Sequence, residues 1–137
     1  MPKVTMSTKL PASAMSVWNL IGGFNALPDW HPAIAKSELS EDGSKRTLQL
    51  VAGGSIVEQL KSSDEEHTYS YSVLETPLPV RSYTGAIAVK PNADGLSCTV
   101  EWSGNFQAAD VPENEAVRVI QGIYQVGLDN LSRIFGL

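Results

Sequence analysis

The chain predicts an α+β fold in which a seven-stranded antiparallel sheet wraps around one long carboxy-terminal helix. Three features of the sequence point there. Val117, Ile120, Tyr124, Leu128, Leu131 and Phe135 recur at three- and four-residue steps with no proline between them, the stripe of an amphipathic helix. Between residues 33 and 108 the pattern changes to period two and keeps it, the mark of strands with one buried face. Short polar links separate those strands, which favours antiparallel neighbours over parallel crossovers.

Each element has its own signal. Residues 3–10 alternate, with Val4, Met6, Thr8 and Leu10 on one face, and form the first strand, which Pro11 ends. Ser13 then caps a helix through Val17, Trp18, Leu20 and Ile21, closed by Gly22–Gly23. Phe24, Leu27 and Trp30 mark a second short helical turn, broken by Pro28 and Pro32. Six strands follow at 33–39, 45–52, 55–62, 68–76, 82–90 and 97–108. Turn residues stand between them: Glu41-Asp42-Gly43, Gly53-Gly54, Asp64-Glu65-Glu66, Pro77 to Pro79 and Asn92 to Gly95. Asp110 is the expected cap of the last helix, with Pro112 in its first turn and Glu113 completing a capping box. Roughly 25 helical residues at about 1.5 Å each make a rod of about 37 Å. Its back face (Glu115, Arg118, Gln121, Gln125, Asp129, Ser132) is too polar for a bilayer, so the rod needs an apolar surface to lie on.

The 137 residues suit one domain, 1–137, with a core of its own. Apolar residues at 42% against 18% charged argue against disorder, and a net charge of −5 argues against nucleic acid or an anionic membrane as partner. A single cysteine, Cys98, excludes an internal disulfide, and with only His31 and His67 beside it no zinc site is expected. No cofactor motif of the phosphate-loop or dinucleotide type occurs. The amino terminus has no continuous apolar stretch of a signal peptide or span, so the expected location is cytoplasmic, without integral membrane association.

Strand faces bring function into view. Cys98, Val100, Trp102, Gly104 and Phe106 share one face; Tyr83, Gly85, Ile87 and Val89 another; then Tyr69, Tyr71 and Val73; Ile56, Glu58 and Leu60; Arg46, Leu48 and Leu50. Turned toward the helix, these faces would present tyrosines, a tryptophan, one carboxylate and one guanidinium. A core built only for stability would use Leu, Ile and Val there, whereas aromatics with a few polar tips suit a small-molecule cavity. Glu58 is either a ligand anchor, a general acid/base, or the structural partner of Arg46 on the next strand. Tyr71 and Tyr83 could donate to a ligand carbonyl or pack with their hydroxyls satisfied inside. Tyr124 and Leu128 sit on the helix stripe, and Trp102 and Phe106 read as wall. Trp30 is expected to plug the sheet edge, with His31 and His67 facing solvent.

Several stretches in order resemble the START-like, helix-grip superfamily and its polyketide cyclase/dehydrase family. They are VWNLIGGFNALPDWHP (17–32), Gly53-Gly54 followed by Glu58-Gln59-Leu60, TYSYSV (68–73), PLPVRSYTGAIAV (77–89), TVEWSGNF (99–106) and the GL-x-x-L ending at Leu131. The resemblance implies an elongated cavity between sheet and helix that holds lipids, hormones, flavonoids or polyketides. It places Glu58, Tyr71, Tyr83, Trp102 and Tyr124 at ligand contacts, and Phe24 and Trp30 near the mouth. At Ala35, where some relatives carry a lysine for a ligand carboxylate, this chain has no charge. The reading is therefore a binder of a small, mostly hydrophobic molecule through Glu58, Tyr71, Tyr83, Trp102, Tyr124, Phe24, Trp30, Arg46, Phe106 and Leu128. The alternatives are a cyclase/dehydratase-like enzyme using Glu58 and a tyrosine, and a protein-interaction module with a vestigial cavity. The long, regular strands would permit a homodimer.

Overall fold

The computed structural model describes residues 2–64 and 67–136, so Glu65 and Glu66 of the expected Asp64-Glu65-Glu66 turn lie outside the described residues. The strands are β1 (Lys3–Leu10), β2 (Ile34–Leu39), β3 (Lys45–Leu50), β4 (Ser55–Asp64), β5 (Thr68–Glu75), β6 (Val80–Pro91) and β7 (Cys98–Ala108). They form one antiparallel sheet in the order β1-β7-β6-β5-β4-β3-β2. Consecutive hairpins build β2 to β7, and β1 returns to pair with β7. The α-helices are α1 (Ala14–Ile21) and α2 (Glu113–Ile134). Between β1 and β2 there is thus one α-helix and a 3-10 turn, Leu27–Asp29, in place of two short helices. Pro28 in that turn has no amide hydrogen to carry a longer helix.

Helix α2 lies on the concave face of the sheet, with Ala116, Ile120, Tyr124, Gly127, Leu128 and Leu131 buried. It packs chiefly along β1 and β7. Val117 and Phe135, expected in the stripe, are only half-buried. The sheet supplies the other half of the core from the anticipated faces: Val4 and Leu10, Leu48, Ile56, Tyr69 and Tyr71, Ile87 and Val89, and Cys98 to Phe106 in alternation.

Ser13 caps α1 as expected, accepting from the Ser16 amide at 3.2 Å. Asp110 does not cap α2. Its φ of 63° puts it in the left-handed region, which aspartate tolerates, and it turns the chain into the helix. The cap position is Pro112, whose carbonyl accepts from the Glu115 and Ala116 amides.

Two irregularities in the sheet matter for the interior. Register slips between Arg81 and Thr84 of β6, where Ser82 has φ 54°, so Val80 and Tyr83 both point inward despite their odd spacing. Farther along, Tyr71, Gly85 and Gly104 stand side by side across β5, β6 and β7. A Cβ at Gly85 would lie 2.6 Å from the Tyr71 ring, and one at Gly104 would meet the Tyr124 and Tyr83 hydroxyls. The glycines are spaces filled by phenol rings.

The two helical glycines differ in the same test. A Cβ at Gly127 would lie 2.7 Å from the His31 ring and 3.0 Å from Trp102 and Trp30, whereas at Gly122 nothing lies within 4 Å. Gly122→Ala should therefore raise stability by about 1 kcal/mol through helix propensity. Gly127→Ala should lower it by about 1–3 kcal/mol through overpacking. Urea unfolding of the two variants checks both signs.

Candidate functional site

Between α2 and the sheet lies a cavity of about 50 Å³. Arg46, Glu58, Tyr71, Tyr83, Trp102 and Tyr124, all singled out in the sequence, meet in its wall. Phe24, Trp30, Phe106 and Leu128 do not line it. Phe24 lies against the Arg46 guanidinium, 4.3 Å from ring centre to Cζ. Phe106 stacks on Tyr83, Leu128 is buried along α2, and Trp30 packs on Trp102. Trp30 is thus an interior residue under α2 and not a plug at the sheet edge.

Arg46 and Glu58 face each other across the β3–β4 ladder. Nε and Nη2 of Arg46 both reach Glu58 Oε1, at 2.8 and 2.6 Å, and Nη1 donates to the Phe24 carbonyl at 2.6 Å. Nη1 also approaches the Tyr69 hydroxyl at 3.5 Å. Both side chains are almost fully shielded, 1% and 8% exposed, so each charge depends on the other. Burial pushes the Glu58 carboxyl up, and Arg46 only partly pulls it back. Burial also works against the guanidinium, but Tyr69 and Glu58 outweigh it and Arg46 stays firmly charged. Among the described residues no hydrogen bond reaches Glu58 Oε2.

The tyrosines form a chain. The Trp102 indole N–H donates to the Tyr71 hydroxyl at 3.0 Å, Tyr71 meets the Tyr83 hydroxyl at 3.3 Å, and Tyr83 is in turn hydrogen-bonded to Tyr124. Burial raises the pKa of all three, so they stay protonated and act as neutral donors and acceptors.

His31, expected in solvent, is placed in the interior. It is buried, 1% exposed, in the cavity wall. The Ala33 amide donates to Nδ1 at 3.2 Å, so Nε2 carries the ring hydrogen and donates to the Ile123 carbonyl at 2.8 Å. Both partners are backbone groups, which every residue supplies, and no sequence spacing announces them. His67, also expected in solvent, is half-buried and stacks on Trp18 with ring centres 5.3 Å apart.

A second, open recess of about 360 Å³ lies outside the cavity, bounded by the β3–β4 turn residues Val51 and Ala52 together with Pro32, Ala33 and Leu50. It shares five wall residues with the cavity: His31, Ile34, Ile56, Leu78 and Ile123. These form a septum common to both spaces, each of which is mostly apolar; the inner one adds Arg46, Glu58 and the tyrosine hydroxyls. Among the described residues no cluster of His, Cys, Asp or Glu could hold a metal ion, and no helix is long and apolar enough to cross a membrane.

A seven-stranded sheet gripping a carboxy-terminal helix over such a cavity defines the helix-grip architecture of START-like proteins. The sequence pattern of the family described as polyketide cyclase / dehydrase and lipid transport matches residues 1–136, and the chain belongs to that family. It is 40% identical to the protein XoxI from Bacillus cereus, with a TM-score of 0.96 over 98% of this chain and 96% of that one. A START superfamily protein from Mycobacterium smegmatis has the same fold at 15% identity, with a TM-score of 0.81 over 97% and 96% of the two chains. So does the Zhui aromatase/cyclase from a Streptomyces species, at 17% identity and a TM-score of 0.76 over 96% and 91%. None of the curated proteins matches the chain.

Two measurements follow from the buried charges. Arg46→Leu strands the Glu58 carboxylate and should cost about 3–5 kcal/mol, while Arg46→Leu with Glu58→Leu should recover most of it, both read by urea unfolding. Burial holds the His31 pKa below its usual 6.5, so the native state resists the proton that the unfolded state accepts. The stability this confers is complete above pH 6.5 and is lost as pH falls through that value toward the lower native pKa. Glu58, with its pKa raised, works in the opposite sense, so the comparison must be between variants. Unfolding midpoints should fall more steeply below pH 6.5 in the wild type than in His31→Gln.

Proposed function

We propose that this protein reversibly binds a small, mostly apolar molecule, whose polar end enters the cavity and whose body fills the outer recess. The observation that carries this reading is the septum. At about 50 Å³ the inner cavity admits a functional group but not a whole ligand, for which a few hundred Å³ are usual. The adjoining recess of about 360 Å³ supplies the missing volume, and its walls are apolar almost throughout. On this reading the septum side chains move aside on binding. Leu78 is the one best placed to do so, since it is half-buried in the turn between β5 and β6.

A second reading, proton transfer by Glu58 with a tyrosine, draws support from the raised Glu58 pKa and from the aromatase/cyclase that shares this fold. Against it stands the Arg46 pair, which occupies Oε1 and opposes protonation. The two readings separate at Glu58→Gln. Loss of turnover with affinity retained would favour catalysis, and parallel loss of both would favour binding alone.

Protein purified from its own source should carry a stoichiometric apolar molecule, detectable by native mass spectrometry and identified after denaturing extraction. Leu78→Trp, which thickens the septum at a half-buried position, should weaken binding of that molecule by about ten-fold or more with little change in Tm. An interior that neither retains nor takes up any apolar compound would sink the proposal.

A further inference from the structure

Hydrogen counting in the cavity wall restricts the chemistry of the polar end. The Trp102–Tyr71–Tyr83–Tyr124 chain has three links, and Trp102, a donor only, supplies the hydrogen for the first. The other two links join three hydroxyls and use two of their three hydrogens. Whichever way the chain runs, one O–H is left over. Among the described residues no further acceptor reaches Tyr71, Tyr83 or Tyr124. All three line the cavity.

Glu58 leaves the opposite surplus. Its Oε1 takes both Arg46 bonds, and Oε2 has no donor among the described residues although the side chain lines the same cavity. The tyrosine chain therefore offers an uncommitted donor and Glu58 an uncommitted acceptor, beside one Arg46 N–H and the half-buried Thr76 hydroxyl, which accepts from the Leu78 amide and keeps its own hydrogen free. The net charge of the wall is also settled. Among the described residues Arg46 is the only cation in the wall, and its bonds to Glu58, the Phe24 carbonyl and Tyr69 use four of its five N–H groups. Glu58 already balances Arg46, so a ligand carboxylate would leave the shielded wall with an uncompensated negative charge, and a ligand ammonium would leave it with a positive one and the spare tyrosine O–H without an acceptor.

Resting on the binding role proposed above, we infer that the ligand's polar end is uncharged and presents both an acceptor oxygen to the tyrosines and a hydroxyl to Glu58, as in a neutral hydroxycarbonyl compound. A hydrocarbon end would leave both wall groups unpaired, and a carboxylate end would add a repelled charge. The cavity volume of about 50 Å³ suits a carbonyl and a hydroxyl but no ring.

The test is an NMR titration of the wild-type protein, read at the Trp102 indole N–H. The probes share one phenylpropyl body: β-hydroxypropiophenone, propiophenone, hydrocinnamyl alcohol, hydrocinnamate and propylbenzene. The hydroxyketone should bind about ten-fold tighter than either single-function compound, the increment of one well-placed hydrogen bond. Hydrocinnamate should be weakest. Hydrocinnamate binding as tightly as the hydroxyketone, or equal affinities for all neutral probes, would overturn the inference and leave cavity binding intact. If no probe, propylbenzene included, shifts the Trp102 signal, the binding role falls and this inference falls with it.

Discussion

Two opposite charges shut away from water organise the concave face. A lone guanidinium or carboxylate at the Arg46 or Glu58 position would be costly there, so the surroundings must supply every compensating contact. The β3–β4 register sets the two residues opposite one another, the loop after α1 brings the Phe24 carbonyl and ring, and β5 adds Tyr69. Loop and strands are thereby tied to one point. Replacing the pair by leucines would make an ordinary core, and its presence marks the end of the cavity where polar chemistry is possible.

The interior is accordingly mixed. Ions and phenols share the cavity wall with aliphatic side chains, the Trp102–Tyr124 stack with ring centres 4.4 Å apart forms part of it, and His31 with Ile34, Ile56, Leu78 and Ile123 borders the outer recess. His31 joins the loop before β2 to the middle of α2 through backbone groups alone. It is a clamp at the boundary between the two spaces. Its neutral form is the one whose hydrogen-bond pattern fits both partners, so the clamp and the protonation state are one property.

Most of this fold was legible from alternation and turn residues. All seven strands fall within a few residues of their expected positions, because a half-buried strand writes its buried face into the sequence at every second residue. The same alternation put Arg46, Glu58, Tyr71, Tyr83 and Trp102 on inward faces. Other features depend on contacts with no periodic trace. The slip at Ser82–Tyr83 breaks the alternation that strand reading assumes. Asp110 carries the residue type of a cap yet serves as a left-handed turn. The small size of the cavity follows from how phenol rings fold over glycines, which is a matter of three-dimensional packing between strands.

That packing has a consequence for how the interior could be reshaped. Tyr71 fills the space above Gly85, and Tyr83 with Tyr124 the space above Gly104. Aromatic and glycine positions are complementary halves of one volume, so neither can change alone without a void or a clash. A smaller residue at Tyr71 vacates space that an alanine or valine at Gly85 can occupy from the opposite side. Variation at these sites is coupled in pairs, and swapping the large and small partners moves the cavity along the sheet instead of merely widening it. Lineages of this domain could thus acquire differently placed chambers on an unchanged backbone.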